Sequence, residues 1–90
     1  MATQRRWQEP RRRIALVILD WHESQTEIYV YAIMRKTGMS GETVRKNLRF
    51  FVELGCLEAK REATQEHVRP RHIYTLTPKG LEVLYDGTRE

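Results

Sequence analysis

Residues Glu27 to Gly55, EIYVYAIMRKTGMSGETVRKNLRFFVELG, hold two apolar stripes of helical period separated by a glycine. Val30, Ile33 and Met34 lie on one helical stripe with Tyr31 at its margin, and Thr26 stands where a cap is needed. The spacing therefore predicts a helix over 27–37. Gly38 follows as a left-handed stop. Ser40 is a second N-cap, and Val44, Leu48 and Phe51 carry a new apolar stripe over 41–54 before Gly55 closes it. Two helices joined by a tight glycine turn form a helix-turn-helix, in which the first helix braces the second so that it projects from the domain.

On the N-terminal side, Ile14, Val17, Ile18 and Trp21 recur at i, i+3, i+4 and i+7, which predicts a helix over 10–22 with Pro10 in its first turn. Residues 1–9 show no periodicity and read as a flexible basic arm. On the C-terminal side the period changes from helical to alternating. Leu57 and Ala59 face inward, Tyr74 with Leu76 resume the alternation, and a polar stretch over 62–70 lies between them, so a β-hairpin is expected. Thr77-Pro78 starts a last short helix on which Leu81, Leu84 and Tyr85 form the apolar stripe. The expected fold is mainly α with a small β-hairpin (α+β), in the order helix, helix, helix, hairpin wing, short helix. Its domain runs over 10–86, with the arm at 1–9 and a tail at 87–90.

The chain has 90 residues, of which 40% are hydrophobic and 31% charged, enough apolar side chain for one small core. The longest apolar run, Ile14 to Leu19, falls far short of the roughly 20 residues a membrane span requires. A cytoplasmic, nucleoid-associated protein without a membrane partner is expected. Cys56 is the one cysteine, so neither an intramolecular disulfide nor a paired-cysteine zinc site can form. His22, His67 and His72 fall in separate segments, and no nucleophile with its base, carboxylate pair or phosphate-binding glycine loop stands out. No enzyme activity, cofactor or metal site is expected.

Sixteen Lys and Arg against twelve Asp and Glu give a net charge of +4. The bases cluster in three regions: Arg5, Arg6 and Arg11 to Arg13; then Arg35, Lys36, Arg45, Lys46 and Arg49; then Lys60, Arg61, Arg69 and Arg71. A basic balance so distributed suits a polyanionic partner.

The segments 32–40, with Thr43-Val44, Leu48 and Glu53 to Glu58, resemble the helix-turn-helix of PadR-like and MarR-like transcriptional regulators. The segment from Arg69 to Gly80, RPRHIYTLTPKG, is similar to the PadR-like return from the wing into the last helix. The resemblance spans roughly residues 28–85. It implies a winged helix-turn-helix, double-stranded DNA as partner and a role in transcription regulation, with a repressor as the leading form. The helical part after the wing is shorter than in those families, so no small-molecule effector is expected.

Within that frame Ser40, Glu42, Thr43, Arg45, Lys46 and Arg49 are the candidate residues of a recognition helix over 41–54. Arg45 and Arg49 stand one turn apart, suited to one guanine edge and one phosphate. Lys60, Arg61, Arg69, Arg71 and His72 are the candidates in a wing over 60–72, where arginines suit a narrow minor groove. Arg5 and Arg6 are the candidates in the arm. Leu16, Leu19, Phe50 and Val52 lie off the core stripes and together suggest a homodimer interface, which pairs with a palindromic DNA site. The alternative is a winged-helix protein-interaction module of a replication, transcription or chromosome-organising complex, for which a basic third-helix face has no use.

Overall fold

The computed structural model describes residues 6–62 and 71–89. Helix α1 spans Arg11–Ser24, α2 Val30–Thr37 and α3 Gly41–Glu53; strands β1, Leu57–Glu62, and β2, Arg71–Leu76, form the hairpin; α4 covers Pro78–Thr88. The chain is thus mainly helical with one antiparallel pair, the expected class and order. Among the described residues no helix is long and apolar enough to cross a membrane.

Local chemistry accounts for most boundaries. Gly38 and Gly55 both take positive φ, 77° and 81°, and end α2 and the turn after α3. The Ser40 hydroxyl accepts from the Thr43 N–H at 3.2 Å and starts α3. Thr77 caps α4 in the same way, accepting from the Gly80 N–H at 2.9 Å, with Pro78 first in the helix.

The start of α2 differs from the expectation. It begins at Val30, and Thr26 does not cap it; the Thr26 hydroxyl lies 2.8 Å from that of Ser24 instead. Ile28 is extended and bridged to β2, where its carbonyl accepts from the Tyr74 N–H at 2.8 Å. Ile28 is buried as well. A backbone bond plus a buried Ile side chain outweighs the ~1 kcal/mol that a threonine cap supplies, so the chain gives up the first helical turn.

The core forms where α1, α2 and α3 meet the hairpin base and α4. Phe51, Ile14, Ile18, Ile33, Leu48, Leu84, Val44 and Cys56 are its fully buried members. In the hairpin Leu57 pairs with Leu76, Ala59 with Tyr74 and Arg61 with His72, so these residues share one face of the sheet.

Three expectations are corrected by packing. Trp7, read as part of the arm, is docked: its N–H donates to the Gly87 carbonyl at 2.9 Å, and its ring meets Phe51 edge-on at 5.1 Å between centroids. A Cβ at Gly87 would stand 2.3 Å from that ring, so the bare glycine makes the contact possible. Gly87 and Thr88, read as tail, are buried in α4. Leu19, read as a dimer contact, is 8% exposed and belongs to the core, because α1 turns apolar residues toward both α4 and the other helices. Leu16 is left at the surface, 40% exposed.

Candidate nucleic-acid interface

Helix α3 presents two flanks, and different elements face each. Arg45, Arg49 and Val52 line one groove together with Ala59, His72 and Tyr74 of the hairpin. Thr43, Lys46 and Phe50 line another, against the segment that leads into α1. Glu42 and the three basic side chains Arg45, Lys46 and Arg49 are exposed. The spacing on a 3.6-residue helix produces this division: 45, 49 and 52 form one row, 43, 46 and 50 its neighbour.

On the hairpin side, Arg45 and Arg49 lie close enough to the Tyr74 phenol to affect its ionisation. Burial raises the Tyr74 pKa, and the positive charges of Arg49 and then Arg45 partly oppose that rise. Exposed His72 packs beside Tyr74, with ring centroids 6.4 Å apart. Arg61 pairs with His72 and shares that face, whereas Lys60 pairs with Ile73 and projects from the other. Lys60 therefore does not join the α3 groove. Tyr74 does, although the alternation of its strand marked it only as an inward residue.

Arg71, a wing candidate, is committed to the body of the domain. Its Nη2 donates to Glu27 Oε1 at 3.1 Å and lies 3.6 Å from Glu62 Oε1, while the guanidinium covers the Tyr29 ring at 4.3 Å. These contacts tie the hairpin to the segment before α2. Ser40 and Thr43 are also occupied locally, since the Ser40 hydroxyl donates to that of Thr43 at 3.1 Å. Arg5 and Arg69 lie outside the described residues.

The four apolar residues expected to form a single dimer patch are separated. Phe50 is covered by the Arg11 guanidinium, 3.6 Å above its ring, and by Trp7. Val52 faces the hairpin groove, and Leu19 is in the core. The residues that hold Phe50 had no local signal: Arg11 Nε donates to Asn47 Oδ1 at 2.9 Å across a long sequence separation, and Asn47 Nδ2 donates to the Thr43 carbonyl.

No family model matches the chain, and no curated protein sequence does. Among solved structures, a PadR family transcriptional regulator from Eggerthella lenta DSM 2243 superposes with a TM-score of 0.66 at 24% identity, covering 83% of this chain and 70% of that one. The circadian clock associated protein Pex from Anabaena superposes with a TM-score of 0.65 at 14% identity, over 94% of this chain and 78% of its own. The fold is a PadR-like winged helix-turn-helix. In winged-helix terms α2 and α3 form the helix-turn-helix, β1 and β2 form the wing, and Ile28 adds an isolated bridge to β2.

Cys56 sits where α3 gives way to the wing. It is fully buried, and burial raises its thiol pKa, with the Lys79 charge pulling the other way. Among the described residues no three metal-ligating side chains cluster. A raised folded-state pKa means that stability is fully present below the unfolded value of 9.0 for cysteine and is lost as pH rises through the folded value. Tyr74 acts in the same direction from 10.0 upward. The urea midpoint is expected to fall as pH rises above about 9. Cys56→Ala should remove the earlier part of that fall.

Proposed function

We propose that this chain is a sequence-specific double-stranded DNA-binding regulator of transcription, acting as a repressor by covering promoter elements. The observation that carries the reading is the exposed pair Arg45 and Arg49, one turn apart on the recognition helix and bordered by the wing residues His72 and Tyr74. Inserted into the major groove, α3 brings its N-terminal half to the base edges. Arg45, nearer the helix start, takes the base contact, and Arg49, beside the wing, takes a phosphate. Arg61 and His72 follow the adjacent minor groove. Lys60 supports the field from the far face of the sheet.

A homodimer on palindromic DNA completes the reading. Leu16 on α1 and Tyr85 on α4, 40% and 54% exposed, put apolar surface on two helices that pack together. A two-fold dimer formed there can set two recognition helices roughly 34 Å apart, one turn of duplex. A small-molecule effector has no part in this reading.

The test is binding to a random-sequence duplex across a salt series. Each phosphate contact contributes about −0.9 to the slope of log K against log salt, so a slope of about −3 or steeper is expected. A slope near zero contradicts the reading and favours a protein-interaction module.

A further inference from the structure

The segment before α1 borders the recognition helix on the flank away from the wing. The groove between them, about 870 Å³, is lined by Arg6, Arg11 and Lys46, with Thr43 and Phe50 on the α3 wall and Glu9 on the other. Three cations against one carboxylate make it a basic channel. Its outer cations, Arg6 and Lys46, are exposed. Arg11, at the inner end, is held in place by its stack on Phe50 and its bond to Asn47.

The position of the segment is built in at its start. The Trp7 N–H is bonded to Gly87, the indole meets Phe50 and Phe51 edge-on, and the Gln8 carbonyl accepts from the Arg12 N–H at 2.9 Å. Arg6 therefore leaves a fixed point beside α3 and is not at the end of a free tether. A recognition helix in the major groove lies between two sugar-phosphate strands. The wing flank meets one of them, and the Arg6, Arg11 and Lys46 flank is placed for the other.

We infer that this groove seats a phosphate of the second DNA strand, gripped by Arg6 and Lys46, and that Trp7 is the positioning residue that holds Arg6 in place. The inference rests on the proposed DNA reading and adds a contact to it. A phosphodiester is the occupant that fits, because the channel is basic and continuous with the exposed face of α3.

The experiment compares the unmodified chain with Arg6→Ala/Lys46→Ala and with Trp7→Phe. The readouts are the salt slope on one duplex and hydroxyl-radical protection of each strand. The double variant removes two exposed side chains, so its melting temperature should stay unchanged. Its slope should become shallower by about 1, and protection should be lost on the strand opposite the wing only. Trp7→Phe, which keeps an aromatic anchor and both cations, should weaken binding with a smaller change in slope. Unchanged slope and protection in the double variant, with the unmodified chain binding normally, overturn the inference alone. Failure of the unmodified chain to bind any duplex overturns the DNA reading and this inference together.

Discussion

Arg45→Ala is expected to remove most of the preference for a specific site over a random duplex while leaving the fold intact. A bidentate arginine–guanine contact is worth about 1–3 kcal/mol of discrimination, or roughly 5- to 150-fold in relative affinity. Arg45 is exposed, and its guanidinium lies over the first turn of α3, 3.1 Å from where a Cβ would stand on Gly41. That placement keeps it at the leading end of α3, where the proposed DNA reading puts the base edges. Arg49→Ala should behave differently: weaker binding to specific and random duplexes alike, and a salt slope shallower by about 1. Neither change touches the core, so both variants should stay within about 0.5 kcal/mol of the parent in urea unfolding. Competition binding with two duplexes separates the cases. Equal losses on both duplexes for Arg45→Ala would remove it from base recognition.

The largest effect on stability is expected from Gly80→Ala. A Cβ there would stand 2.1 Å from the Cys56 carbonyl oxygen, a backbone atom that cannot swing aside. The same carbonyl accepts from the Thr77 N–H at 2.9 Å, so the α4 cap and the start of β1 are fastened at this point. An added methyl has to push α4 away from the hairpin. The displacement loosens Leu84, which is fully buried, and Gly87, which holds Trp7. Overpacking against backbone costs roughly 3 kcal/mol, at about 4–8 °C of melting temperature per kcal/mol in a domain of this size. A fall of more than 10 °C is thus expected by calorimetry. Glu82→Ala, on the exposed side of α4, is the control and should change little. A melting temperature for Gly80→Ala within 3 °C of the parent would mean that α4 and β1 do not approach as described.

The parts of the fold that were legible from sequence are those whose chemistry is local. Ser40 and Thr77 as caps, Gly38 and Gly55 as stops, Pro78 at the helix start and the alternation through Leu57 and Leu76 each depend on neighbours within a few positions. What escaped was decided at long range. Thr26 had the makings of a cap, but Ile28 finds a strand partner in Tyr74, far along the chain. Trp7 looked like arm because Phe50, Phe51 and Gly87, which receive it, carry no mark of that role.

The candidate interface follows the same division. The exposed face of Glu42, Arg45, Lys46 and Arg49 was readable because helical spacing separates it from the Val44, Leu48 and Phe51 stripe. The wing was less so, since composition counts Arg71 as a base without showing that Glu27, Glu62 and Tyr29 engage it. Phe50 likewise looked like an unpartnered apolar residue until Arg11 and Trp7 were found over it. Charge clusters locate a basic region in sequence; which of its members remain outward is settled by packing.

Whether α3 reads DNA sequence is decided by selecting bound duplexes from a random pool with the unmodified chain. Enrichment of one consensus with two-fold symmetry and half-sites about one helical turn apart is expected, with loss of its strongest positions when Arg45→Ala is used in the same selection. A pool that remains random after repeated rounds, with the chain folded and monodisperse, would contradict it.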